Sequence, residues 1–259
     1  MEFRTGIDIT PTKNPLGFTY GKNTFGPEVE SRSLSKIRKS LLNPECDGPD
    51  PVYAIAMGVG DKNDIEKLNE RNLLFGVVTY AAGQLGDEPV RSQGHVHVPA
   101  RDNKLSPPEI YEIWSGKAII YMQEHDQTNP GRCYAVYAGP GDVVVVPPDW
   151  AHATISADSN EPLTFGAWCD VDYGFDYTGV RAHKGLAWYP VLDSQNQIQW
   201  MPNENYLYSE LIKKSPNDYE SLNVEKGVPI YQQFQKNPDS FLYVSNPHLK
   251  EEQWRHFEP

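Results

Sequence analysis

Between residues 52 and 171 the chain is a succession of short β-rich runs: VYAIAMGV, LLFGVVTYAA, EIYEIWSG, KAIIYMQE, RCYAVYAG, DVVVVPP, HATISA and LTFGAWCDV. Glycine, proline, asparagine or aspartate punctuates them. Valine, isoleucine, tyrosine and phenylalanine favour a pleated backbone, and turn residues at short intervals fold that backbone onto itself. The pattern is that of an all-β sandwich or barrel. The VVVV run puts apolar side chains on both of its faces, as a strand covered on both sides must. With 20 glycines and 22 prolines among 259 residues, the chain has the turn content such a fold needs. Its length suits one large β domain with an appendage.

The flanks read differently. Residues 1–50 form a polar, punctuated arm, in which Leu34, Ile37 and Leu41 recur at helical spacing behind Ser33, a residue suited to cap a helix. Residues 51–202 make the β domain, interrupted at 61–72 by DKNDIEKLNERN, a charged excursion read as a hairpin loop or helical turn. In 203–259, ENYLYSELIKK, NDYESLNVEKG and PIYQQFQKN read as short helices or turns, an extension expected to pack on the barrel or on a partner subunit.

A net charge of −12 argues against nucleic acid as a partner, because a phosphate backbone demands basic surface. It leaves room for an anionic small molecule held by local donors. No cationic stretch followed by an apolar run opens the sequence, and no run approaches the length of a membrane span, so a cytoplasmic protein without a membrane partner is expected. Cys46, Cys133 and Cys169 are odd in number and lack CxxC spacing, which suggests reduced, buried thiols.

The chemistry is carried by GHVH at 94–97, Glu109 and His152. In an extended strand, residues two apart point to the same face, so His95 and His97 aim together while Val96 looks away. Glu109 is followed by six residues and Gly116, where a strand must turn; Gly141 is followed by five residues and Pro147, with His152 five further on. Three imidazoles and a carboxylate suit Fe, Ni or Mn, with Zn possible, and leave coordination positions open for chemistry. Glu112 competes as the acid, but it lies three residues on and faces the other way. His125, His183, His248 and His256 have no comparable spacing and read as surface residues; Trp150 and Trp168 read as packing residues.

These segments resemble the paired motifs of the cupin superfamily: His-x-His, then Glu, six residues and Gly; and Gly, five residues, Pro and His. One departure is an insertion of eleven residues, VPARDNKLSPP, between His97 and Glu109. Within the superfamily the chain is similar to the cupin-type glucose-6-phosphate isomerases, through GVVTYAAGQLGDEPVRSQGHVH (76–97), EIY, PGDVVVVPPDWAHAT and DYGFDYTGVRAHKGLAWYPV, over roughly residues 50–202. The resemblance implies a cupin β-barrel (a double-stranded β-helix, or jelly roll) with short N- and C-terminal helical segments. It implies a homodimeric, metal-dependent isomerase of glycolysis and gluconeogenesis, interconverting D-glucose 6-phosphate and D-fructose 6-phosphate.

By the same resemblance, one divalent metal per subunit falls on His95, His97, Glu109 and His152, and Glu109 and Tyr111 are catalytic. The phosphate falls on Ser92 and Gly94. The upstream threonine of the family matches less well, with Val77 and Val78 at its place and Thr79 beside them, and Phe175 stands where the family has a histidine. The same residues would serve proton transfer through an enediolate or a hydride shift. Other readings of the four side chains are another sugar-phosphate isomerase or epimerase, a cupin dioxygenase, and a sugar-binding protein without turnover.

Overall fold

A computed structural model describes residues 4–259, and two antiparallel-based sheets organise it. The larger has six strands in the order Val143–Val146, Glu109–Ser115, Leu163–Asp170, Leu73–Tyr80, Tyr53–Met57 and Glu30–Arg32. The smaller has four, in the order Ala151–Ser156, Ala118–Gln123, Cys133–Ala138 and Leu211–Lys214. Side chains of both sheets, among them Phe75, Ile110, Val144, Met122 and Val136, meet in one apolar core. This is the cupin arrangement, and each β-rich run of the sequence supplies a strand or its edge.

The core is closed from outside by the chain's two ends. Leu34, Ile37 and Leu41 from the arm, and Ile230, Tyr231, Phe234 and Phe241 from the extension, are buried in the same cluster as the sheet residues. Trp168 is the centre of the C-terminal contact: its ring stacks on Tyr231 at 5.6 Å and on Phe241 at 5.8 Å. Trp150 packs against Tyr134 and Phe257. Behind the four-stranded sheet, Ile119, Tyr121 and Ala153 pack with Val180, Leu186 and Tyr206 in a second cluster. Both faces of that sheet are therefore covered.

Two local expectations need correction. The helix expected around Leu34–Leu41 is a pair of 3-10 turns, Leu34–Lys36 and Arg38–Ser40, and Ser33 makes no cap hydrogen bond. A three-residue repeat brings Leu34 and Ile37 to one side in a 3-10 turn as well as in a helix. Where the chain leaves the turn, the Ser40 carbonyl accepts a 2.6 Å hydrogen bond from the Arg91 guanidinium. In the extension, Leu211–Lys214 is not a helix or turn but a strand, paired parallel to Cys133–Val136. An available edge of the smaller sheet decides this, since local propensity in so short a segment is weak. The 61–72 excursion forms a 3-10 turn and the helix Ile65–Glu70. No helix among the described residues is long and apolar enough to cross a membrane.

Candidate metal centre

The segment before the histidine pair runs antiparallel to Ala151–Ser156. Arg91 bridges to Ile155, and His95 and His152 exchange both backbone hydrogen bonds, each at 3.0 Å. Such directly opposed residues carry adjacent side chains, and the two rings lie 4.4 Å apart. His97, two residues on, returns to the same face from the short strand Val96–His97, which pairs with Phe175–Asp176. Glu109 opens its strand opposite Val146 and completes the group. One donor atom from each of His95, His97, Glu109 and His152 lies within 4.8 Å of all the others.

The tautomers suit a metal. Nδ1 of His97 lies 2.9 Å from the Pro107 carbonyl, and Nδ1 of His152 lies 3.0 Å from the Trp150 carbonyl. A carbonyl only accepts, so each Nδ1 donates and each Nε2 keeps its lone pair, the usual outer support of a ligating histidine. Nε2 of His95 and Nε2 of His97 are buried and have no hydrogen-bond partner among the described residues. Orphaned buried nitrogens are costly, and a cation shared among them and Glu109 removes the cost. The donor set therefore fits a divalent ion.

The charges agree. Burial, and then the neighbouring His152 and His97, hold His95 well below the usual imidazole range, in the neutral form that ligates. Burial alone would raise Glu109, but the facing His152 and His97 rings hold it well below the usual carboxylate range. Its Oε2 lies 3.3 Å from His152 Nε2 and 3.4 Å from His97 Nε2, and it accepts a 2.7 Å hydrogen bond from the Tyr111 hydroxyl.

Glu112 turns to the opposite face. Its carboxylate accepts from Ile230 N–H at 2.8 Å and from Trp114 Nε1 at 2.9 Å, and burial pushes it up to about 7. The acid of the cluster is Glu109. The inserted residues 98–108 are anchored rather than slack: they supply the Pro107 carbonyl, and Arg101 pairs with Asp170 and Asp172.

A cleft opens from these ligands, lined by Ser92, Gln93, Gly94, Tyr53, Val78 and Tyr80. Ser92 Oγ accepts from the Thr154 N–H at 3.1 Å and keeps its own proton to donate. Gly94 has φ +86° and its missing Cβ would meet Leu186 Cδ1 at 2.8 Å, so only glycine serves there. Thr79 is a different matter. Val78 faces the cleft, so Thr79, one residue on, faces away, buried in a 2.9 Å hydrogen bond with Thr164. The strand keeps its regular alternation here, and nothing shifts Thr79 into the site.

Three further residues stand near the ligands, of which Phe175 alone was marked from sequence, in the place of the family's histidine. Cys169 Sγ lies 3.3 Å from Glu109 Oε1, because its strand pairs with that of Glu109. Only cross-strand register could have signalled it. The Phe175 ring packs 4.3 Å from His95 and 5.6 Å from His97, an apolar cover over both imidazoles. Arg32 reaches the cleft from the N-terminal strand, far from any motif.

Comparison with known proteins places this centre. The model of the family described as "Glucose-6-phosphate isomerase (GPI)" matches residues 38–208. The chain belongs to the glucose-6-phosphate isomerase family. It is 31% identical over 201 residues to a glucose-6-phosphate isomerase of Thermococcus kodakarensis, covering 75% of this chain and 97% of that protein. It is 31% identical over 206 residues to the Pyrococcus furiosus glucose-6-phosphate isomerase, covering 80% and 94%. Among solved structures, an oxalate oxidase in complex with glycolate aligns over 48% of this chain and 54% of its own, with 15% identity and a TM-score of 0.36. The residues matched to the isomerase family contain the whole ligand cluster, so the centre lies within the part of the chain that defines the family.

Proposed function

We propose that the chain interconverts glucose 6-phosphate and fructose 6-phosphate with a divalent ion, Fe, Ni or Mn, held by His95, His97, Glu109 and His152. The observation that carries this reading is the convergence of those four donors at a cleft whose wall holds Ser92 and Gly94, in a member of this isomerase family. The mixed imidazole and carboxylate set favours these metals over Zn. When bound, such an ion supplies Lewis-acid polarisation of the oxygens on C1 and C2 of the open-chain sugar.

The chain's own residues do the rest. Glu109 takes the proton from C2 and delivers it to C1, the task of a general base held beside the reacting carbons, while the hydroxyl proton of O2 passes to O1. Tyr111 donates to Glu109 Oε2 and fixes the direction in which that oxygen faces. Phe175 keeps bulk water from the imidazoles. The Ser92 hydroxyl and the Gly94 amide hold the phosphate, whose binding energy positions C1 and C2.

A coupled assay for fructose 6-phosphate, with protein loaded in turn with each metal, tests the activity. No product from any loaded form would end the proposal. Turnover in D2O probes the route: deuterium at C2 of recovered glucose 6-phosphate is expected from proton transfer by Glu109, whereas a hydride shift carries only the original hydrogen.

A further inference from the structure

Among the described residues Arg32 is the one arginine or lysine that lines the cleft, and it comes from outside the region matched to the family; Arg181, held by Gln93, lies beyond the Tyr177 ring. Arg32 ends the strand Glu30–Arg32, the edge of the six-stranded sheet, where it pairs with Tyr53. The family match begins at residue 38. Arg71, Arg91, Arg101, Arg132 and Arg255 are each paired with a carboxylate. Arg32 is half-buried in the cleft wall and has no carboxylate within 4 Å among the described residues. A guanidinium turned into a cleft without a counter-ion is a binding group for an anion.

Its surroundings suit a phosphate. The guanidinium carbon lies 6.0 Å from the centre of the Tyr53 ring, which stacks on Tyr80 at 4.8 Å. Burial raises the phenols of Tyr53 and Tyr177, and the charge of Arg32 is the largest influence opposing it at both. Both tyrosines line the cleft with Ser92 and Gly94. Val78, also in the lining, offers no hydroxyl. In a chain of net charge −12, an anionic substrate needs a local cation.

We infer that Arg32 is the cation that pairs with the phosphate group of the substrate, so that the N-terminal arm completes the binding site. The inference rests on the isomerase reading for the identity of the substrate. The rest of the phosphate's shell is hydroxyls and a backbone amide, and the guanidinium adds two parallel N–H donors and a charge.

The test compares wild type with Arg32→Met in the full-length, metal-loaded protein. KM for glucose 6-phosphate is expected to rise about ten- to a hundredfold, the worth of charge-assisted hydrogen bonds. Metal content should stay within twofold, and any fall in kcat should be smaller than the rise in KM. A KM within twofold of wild type, in an enzyme that turns over glucose 6-phosphate, overturns the role of Arg32 and leaves the isomerase reading standing. If wild type does not turn over the sugar phosphate, the isomerase reading fails. Calorimetric binding of inorganic phosphate to both proteins then decides the point for Arg32, equal affinities overturning it. Should Arg32→Met not fold, Arg32→Gln, which keeps length and hydrogen-bonding capacity without charge, gives the same comparison.

Discussion

Glu109 is held by its two oxygens in two different ways: Oε2 faces the imidazoles and Tyr111, while Oε1 receives the thiol of Cys169 at 3.3 Å. The thiol is buried and raised well above its ordinary value, first by burial and then by the charge of Glu109, so it remains a donor. One oxygen is thereby kept away from the ligand cluster and the other turned into it.

Removing that restraint should loosen the base without emptying the site. Cys169→Ala is expected to lower kcat about three- to tenfold, in keeping with a weak S–H donor to a charged acceptor. Metal content by elemental analysis should be unchanged, and Cys169→Ser should recover most of the rate. Wild-type kcat in Cys169→Ala would remove Cys169 from the positioning of Glu109.

Glu109 and Glu112, three residues apart on one strand, should behave oppositely. Glu109→Gln keeps three histidines for the ion and loses about two or more orders of magnitude in kcat. Glu112→Gln should leave kcat within about threefold, since its partners are Trp114 and Ile230 on the other face. An amide has one acceptor oxygen for those two donors, so the cost falls on stability, about 1–3 kcal/mol, read as a lower Tm.

The pH dependence of stability carries a second mark of Glu112. Its carboxyl moves from 4.5 unfolded to about 7 folded, so between these values the folded state holds a proton that the unfolded state has lost. This group therefore makes stability fall as pH rises from about 4.5 to about 7, and add no further slope above. Denaturant unfolding at several pH values should show that slope in wild type and a shallower one in Glu112→Gln. Identical slopes would place the carboxyl in an ordinary environment.

Metal removal should weaken the fold as well as the activity. Two orphaned imidazole nitrogens remain when the ion is gone, and a ligand bound only to the folded state stabilises it by mass action, about 4 kcal/mol at a thousand times Kd. Chelation is expected to abolish turnover and lower Tm, with Fe, Ni or Mn restoring both. Full activity in protein shown to be metal-free would refute the role assigned to the cluster.

Ser92→Ala is expected to raise KM for the sugar phosphate several-fold at constant metal content, since Ser92 touches no ligand side chain and its Oγ meets Thr154 N–H. A KM unchanged by this substitution would assign the phosphate to Arg32 and the tyrosines alone.

The class of fold was legible in strand alternation and turn spacing, and the gathering of His95, His97, Glu109 and His152 in the resemblance to the cupin motifs. Alternation along a strand puts His95 with His97 and separates Glu109 from Glu112; what brings His152 to the same point is its pairing with His95. Cys169, Arg32 and the Pro107 carbonyl were not legible as parts of the site, nor was the contact that Phe175 makes, because each reaches the site through a neighbour distant in sequence: strand register for Cys169, an edge strand for Arg32, a short two-residue pairing for Phe175. The same holds where expectation failed. Leu34–Leu41 is turns, with the Ser40 carbonyl bonded to Arg91, and Leu211–Lys214 is a strand, because a free sheet edge outweighs weak local propensity. Local pattern determines which faces the side chains take, and only tertiary packing determines what those faces meet.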